Sequence, residues 1–287
     1  MGLITTAFVK QFGSTLNMLS QQKGSRLSNA VQVETGAYGE EEYFDQYGED
    51  TANVKVARNV DVEYAADDYQ RRRVSFTDIY WAKLIDKEDK LAMLIDPTSG
   101  LMQAGAWAIG RKIDDLIIAA FSGTAKTGKA GGTDTTFTAA NQIAIDGTAG
   151  LTLAKLINAK EILDAADVDP EEERYIACAA SQISDLLNTT EVKDIDYNSV
   201  KALVEGKVDS FMGFKFIRTQ RLTLSGTTRT CLAWAKSGLL LAKRNDMNAK
   251  IDMIPTKHYA NQAYASISCG ATRMDEEKCV EIAAYEA

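Results

Sequence analysis

Histidine is almost missing from this chain: His258 is the only one in 287 residues. A lone imidazole excludes multi-histidine metal sites and leaves one candidate ring base, with no nucleophile motif beside it. A surface or packing role is expected for His258. Cysteine is scarce as well. Cys178, Cys231, Cys269 and Cys279 show no close-pair spacing, so they are expected to be reduced, mostly buried thiols of a cytoplasmically folded protein. No stretch approaches the roughly 20 apolar residues of a membrane span. Met1 to Ser20 carries Lys10 in its middle and no continuous apolar run, unlike a secretory signal. No membrane partner is expected. Excess positive charge is lacking too, the net charge being −8. An acidic chain is poorly suited to gripping nucleic acid over its whole surface, which needs clustered Lys and Arg.

What is present is ordinary globular material. Apolar residues at 45% and charged residues at 25% sit near the averages for folded domains, and the length suffices for one large domain or two interleaved ones. The charge is unevenly placed. The first 33 residues contain no acid and only Lys10, Lys23 and Arg26 as bases, a composition that suits an arm ordered on a neighbour. From Gly36 to Asp68 the sign reverses, with Glu40, Glu41, Glu42, Asp45, Glu49, Asp50, Asp61, Glu63, Asp67 and Asp68 against Lys55 and Arg58. Within it, Val54, Val56, Val60 and Val62 fall at even positions of Asn53 to Tyr64, which predicts a strand. Arg71-Arg72-Arg73 and Val74 to Trp81 read as its returning strand. Such a two-stranded projection buries too little surface to stand alone, so it needs something to lie on.

Asp96-Pro97 opens the clearest helix. Asp96 suits the cap, Pro97 the first helical position, and Gly123 falls just past the end. Between them Leu101, Gly105, Ile109, Ile113, Leu116, Ile117 and Phe121 return every three or four residues. At 1.5 Å per residue the rod is roughly 39 Å long. Thr124 to Gly150 is small, polar and glycine-rich and reads as a loop with at most a short strand. Thr152 to Val168 predicts an amphipathic helix that opens a second domain. Beyond Asp169-Pro170 follow a buried strand over Arg174 to Ala180, short helices over Ser181 to Asn188 and Asn198 to Glu205, and a strand over Phe211 to Thr219 with Gly213 at a bulge or turn. Ala263 to Ser268 and Lys278 to Tyr285 are expected to pair antiparallel and return to the long helix.

The candidate chemistry is thin. Gly123 to Ala130 nearly spells a phosphate-binding loop, but Ala130 replaces the metal-binding hydroxyl, a helix precedes it where a strand is required, and no helix follows. Asp194, Asp196 and Asn198 with Glu205 echo a calcium loop, yet Ser199 stands where that loop needs glycine. Asp114 and Asp115 are successive on a helix, so their side chains diverge by about 100° and cannot share one substrate. Asp86 to Lys90 and Asp169 to Glu173 read as solvated turns. No catalytic residue, cofactor or metal is expected. The arginine triplet suits a charge-complementary contact, within the chain or between subunits, with Glu40, Glu41, Glu42, Asp67 and Asp68 as the acidic candidates.

Arg71-Arg72-Arg73, then Trp81 to Leu91, Asp96-Pro97 and Gly110-Arg111-Lys112-Ile113-Asp114-Asp115 through Ala119 together resemble a group of tailed-bacteriophage major capsid proteins that share the Hong Kong 97-type fold. The resemblance implies an α+β fold: an N-terminal arm (1–33), an E-loop hairpin region (34–81), a peripheral domain (82–150) with a spine helix over 97–122, an axial domain (151–249), and a return to the peripheral sheet (250–287). It implies a structural protein, not an enzyme, that self-assembles as hexamers and pentamers into an icosahedral shell. Assembly would take place in the host cytoplasm. The implied partners are the chain itself, a separate scaffolding protein, a portal protein at one vertex, double-stranded DNA held without sequence reading, and a decoration protein in some shells. The alternatives are an encapsulin-type compartment around protein cargo and a nucleotide-binding enzyme using 123–129.

Overall fold

The computed structural model describes residues 20–48, 50–55, 57–58, 61–62, 64, 69–85, 98–188 and 210–286. In chain order these form β1 (Gln32–Thr35), β2 (Glu41–Tyr47), β3 (Tyr69–Ser75), β4 (Thr77–Ile85), α1 (Thr98–Ser122), β5 (Ala125–Thr127), β6 (Thr133–Thr135) and β7 (Gln142–Ile143). There follow α2 (Leu153–Ala165), β8 (Arg174–Cys178), α3 (Ala180–Asn188), β9 (Ser210–Phe211), β10 (Phe214–Arg218), β11 (Leu224–Ser225) and β12 (Thr228–Ala235). The last are β13 (Leu239–Lys243), β14 (Asn248–Ile254), β15 (Ala260–Arg273) and β16 (Cys279–Tyr285). The chain divides into two compact units. The first comprises Met1–Ser25, Asp78–Lys112 and Asp246–Ile267, and the second Arg26–Thr77, Ile113–Asn245 and Ser268–Ala287.

The larger unit is built on a seven-stranded sheet in the order β7-β16-β12-β8-β10-β9, with β11 on β12. β12 and β16 pair over Thr228↔Tyr285 to Trp234↔Cys279, far apart in sequence. On this sheet α2 lays Leu156, Ala159 and Leu163, which return every three or four residues and pack with Ile176, Phe214, Val280 and Ile282. Thr152 caps α2, its side chain accepting the Lys155 N–H. Lys155 is itself buried, and its ammonium donates to the carbonyls of Ala149, Gly150 and Ala283. Burial holds its pKa below the usual lysine value. A second sheet, β2-β3-β5-β6, and the ladder of β1 on β13 on the later half of β15 complete this unit. In the first unit β15 instead pairs with β14, from Asn248↔Ser266 to Ile254↔Ala260, and with β4.

The long helix lies where its periodicity places it. Ile109, Ile113, Ile117 and Phe121 are buried, joined by Ile118, while Leu116 is only half-buried. Gly123 closes it, donating to the Ala119 carbonyl at 2.9 Å. Asp96 and Pro97 lie outside the described residues. So do Asp86 to Lys90, the calcium-like stretch and the helix expected over 198–205. The strand over 174–180 and the helix over 181–188 occur as β8 and α3.

Three expectations are corrected. The strand predicted over 53–64 lies partly outside the described residues, and 53–55, 57–58, 61–62 and 64 carry no strand. The partner of the arginine strand is β2, in register from Glu41↔Ser75 to Tyr47↔Tyr69. In β2 the half-buried side is Glu42, Phe44 and Gln46, so its alternation is not apolar and the valine pattern outranked it. Second, the two tail strands do not pair with each other: β15 joins β13, β14 and β4, and β16 joins β12 and β7. Alternation marks a strand but does not name its partner. Third, the glycine-rich stretch holds an antiparallel hairpin, β5 on β6, from Ala125↔Thr135 to Thr127↔Thr133. Within 211–219, Met212 and Gly213 are both left-handed and form the turn between β9 and β10.

Candidate assembly surface

The arginine triplet sits on β3, where successive side chains point to opposite sides. Arg71 and Arg73 share the outer side with Tyr43, Asp45, Tyr47 and Tyr69, and Arg72 turns inward. Each meets a carboxylate. Arg71 Nε lies 2.5 Å from Asp45 Oδ1, and Arg73 Nη1 lies 2.9 Å from Glu41 Oε1. Buried Arg72 pairs with Glu276 and donates through Nε to Gln46 Oε1 at 3.1 Å. The Arg71 hydrogen bond holds the Asp45 carboxyl below its ordinary pKa. Both of these outer pairs are diagonal or direct cross-strand neighbours, the geometry in which opposite charges fix register.

The outer side of this hairpin is aromatic and cationic. The Tyr47 and Tyr69 rings meet edge to face at 5.0 Å, and the Arg71 guanidinium lies over the Tyr43 ring at 5.8 Å. Tyrosine and arginine in exposed clusters are the residues enriched where proteins bind proteins. Of the acidic candidates, Glu41 is paired as above, Glu40 is exposed, and Glu42 is half-buried with Oε2 enclosed and lacking a hydrogen-bond partner among the described residues. Asp67 and Asp68 lie outside the described residues.

The Gly123 to Ala130 stretch leaves α1 and enters β5, then turns at left-handed Gly128. Lys129 lines an open cleft of about 620 Å³ with Asp45, Tyr69, Arg71 and Thr127. Among the described residues this stretch leads into a strand and not into a helix N-terminus, which would supply the dipole and free amides of a phosphate cradle. His258 is exposed, in a left-handed conformation at the turn between β14 and β15. Among the described residues no three of His, Cys, Asp and Glu cluster as metal ligands. The four cysteines are buried and free, and burial raises the thiol pKa of Cys178, Cys269 and Cys279.

The polar residues of α1 have constructional roles. A Cβ on Gly110 would lie 2.5 Å from the Ser25 nitrogen and 2.6 Å from the Gly24 carbonyl carbon, so glycine permits the chain to lie against the helix there. Arg111 donates to the Gln22 carbonyl and Gln21 Oε1, both at 3.0 Å. In the second unit buried Asp114 accepts the backbone N–H groups of Arg26 and Leu27. Asp115 instead takes Arg221 in a two-pronged ion pair, at 2.6 and 2.5 Å. The two aspartates do diverge, and each holds a different part of the chain.

Sequence reading missed the junction at the helix's far end. Arg273 is fully enclosed and donates to the carbonyls of Phe121, Gly123 and Thr135, and its Nε reaches Glu276 at 3.3 Å. Glu276 thereby holds both Arg273 and Arg72. A lone basic residue within an alternating strand was the available signal, and the partners come from distant segments.

The sequence profile of the family described as phage capsid protein matches residues 4–286. The chain belongs to the phage capsid protein family. No curated protein matches it. Among solved structures, the capsid of the cyanophage P-SCSP1u is 15% identical, with a TM-score of 0.75, covering 98% of this chain and 93% of that one. The capsid of Ralstonia phage GP4 is 11% identical, with a TM-score of 0.76, covering 100% and 98%. The capsid of a native GTA particle is 11% identical, with a TM-score of 0.72, covering 98% and 96%. At such identities these likenesses establish the fold, the α+β fold of tailed-phage capsid proteins. With the family, they make this chain a phage major capsid protein, a structural component of the virion capsid.

Proposed function

We propose that this capsid protein assembles as hexamers and pentamers into a closed icosahedral shell around double-stranded DNA. Assembly would occur in the host cytoplasm with a separate scaffolding protein, a portal protein at one vertex and, in some shells, a decoration protein outside. Its work is contact-making, and we assign it no reaction. The observation that carries the reading is the exposure of the hairpin and the segment beyond it: Val54 is 86%, Val62 73% and Tyr64 91% exposed. Apolar side chains left this open in one copy gain burial against another. In this reading 34–81 is the E-loop region, lying on an adjacent copy. The remaining assignment is 1–33 as arm, 82–150 as peripheral domain, 151–249 as axial domain and 250–287 as the return.

Arg71 and Arg73 with Glu40, Glu41, Glu42, Asp67 and Asp68 are the proposed charge-complementary contacts between copies, the intrachain pairs of Arg71 and Arg73 setting the presented pattern; Arg72, buried and paired with Glu276 of its own chain, is left out of them. Negative-stain electron microscopy of the purified chain, alone and with its scaffold, tests the assignment. Closed shells, tubes or capsomer rings are expected. A uniformly monomeric or dimeric species under both conditions would remove it.

A further inference from the structure

Among the described residues the first unit leaves one strand edge unpaired. β14 pairs with β15 on one side only among the described residues, and 248–253 are all exposed. Its sequence alternates strictly, with Met247, Ala249, Ile251 and Met253 on one side and Asn248, Lys250 and Asp252 on the other. The register opposes Ile251 to Ala263 and Ala249 to Ala265, both buried, so the apolar side of β14 continues the buried side of β15. On β14 that side is open: Met247 is 42%, Ile251 45% and Met253 61% exposed. An alternating apolar strand with an open edge is a template for another strand.

The charges on the opposite side identify the occupant. Lys250 and Asp252 flank Ile251 symmetrically. Set two copies of β14 antiparallel with Ile251 opposite Ile251, and each Lys250 faces the other copy's Asp252, while Ala249 faces Met253. Slide the register to the next alignment that keeps the apolar sides together, and either Lys250 meets Lys250 or Asp252 meets Asp252. Opposite charges directly across a strand pair stabilise it and like charges oppose it. The strand is therefore self-complementary in one register, the property an isologous two-fold contact requires.

We propose that β14 is a homotypic docking edge, joining two copies of this chain about a two-fold axis at Ile251, so that β4-β15-β14 becomes continuous with its copy. The proposal rests on the shell reading, in which neighbouring copies meet about two-fold axes. Lysine on an edge strand also serves to block pairing, and the alternating sequence 53–64 of another copy is a rival occupant. The test separates these.

Lys250→Asp, Asp252→Lys and the double exchange are assembled beside the wild type and counted by electron microscopy, with thermal melts confirming that these exposed positions leave the fold intact. Each single variant places only like charges across the contact. Alone, each is expected to give at least about tenfold fewer closed particles, since like-charge juxtaposition strongly disfavours a contact. An equimolar mixture of the two single variants is expected to restore particles containing both, and the double exchange to assemble like wild type. Normal assembly by both single variants would overturn the proposal and leave the shell reading standing. Loss in only one of them, or no rescue on mixing, would overturn it in favour of a different occupant. A wild-type chain that forms no particle removes the shell reading, and the proposal with it.

Discussion

The carboxylate of Asp114 accepts the backbone N–H of Leu27 at 3.1 Å, across 87 positions of sequence. The Arg26 N–H approaches both oxygens of the same group, at 3.2 and 3.1 Å. A hydrogen bond to a charged acceptor contributes roughly 1.5–3 kcal/mol, and removing the acceptor strands its buried donors. Asp114→Ala is therefore expected to cost about 2–4 kcal/mol, with Asp114→Asn intermediate because one carbonyl oxygen remains. Chemical denaturation reads the loss. Limited proteolysis should show cleavage within 20–31 appearing before cleavage elsewhere.

Gly110→Ala tests the neighbouring contact by space alone. In an open helix this change stabilises by up to about 1 kcal/mol. Here the new Cβ would fall 2.5 Å from a backbone nitrogen, which cannot swing aside as a side chain does. The clash should win, with a net loss of about 1–3 kcal/mol. Gly132→Ala, whose Cβ would meet nothing within 4 Å, is the control expected to melt within about 0.5 kcal/mol of wild type.

These two residues show what was legible. The helix carrying Gly110 and Asp114 follows from its apolar spacing and closing glycine, which are local facts. So do α2 and the buried strand β8. Pairing was not legible, because alternation at period two is the same signal for every partner. Val54 to Val62 alternates better than Glu41 to Tyr47, yet β2 holds the register, through cross-strand charges that only the fold brings together. The assembly surface was half legible. The arginine triplet and its acidic complement stood out as opposite blocks, but Arg72 turns inward to Glu276, and the exposed tyrosines gained meaning only once strand sides were known.

Glu286 predicts an acid-dependent loss of stability. Hydrogen bonding to Arg229 holds its carboxyl at a pKa of about 2, against an ordinary 4.5, with Gln182 assisting. A carboxylate whose pKa is depressed by folding contributes its stability in full above the unfolded value and loses it as pH falls toward the folded one. The wild type should weaken between pH 4.5 and about 2. Glu286→Gln should already be less stable at neutral pH and show a flatter decline across that window. Thermal melts on both proteins through the range check it; parallel curves would show that the pair contributes nothing.

Arg273 and Glu276 should behave as one device at the end of α1. The carbonyl end of a helix carries partial negative charge, and Arg273 places a buried cation there while its fork reaches Phe121, Gly123 and Thr135. Arg273→Met strands those carbonyls and leaves Glu276 with Arg72 alone, at an expected cost of about 3–5 kcal/mol. Arg273→Lys keeps the charge but not the planar fork, and should recover only part of the loss. If the junction is cooperative, Glu276→Gln will cost less in the Arg273→Met background than in wild type, by a coupling of about 1 kcal/mol or more. A double-mutant cycle in urea measures that difference directly. Simple additivity would mean that Arg273 holds the helix end and Glu276 holds β3 as independent contacts, sharing a carboxylate but no energy.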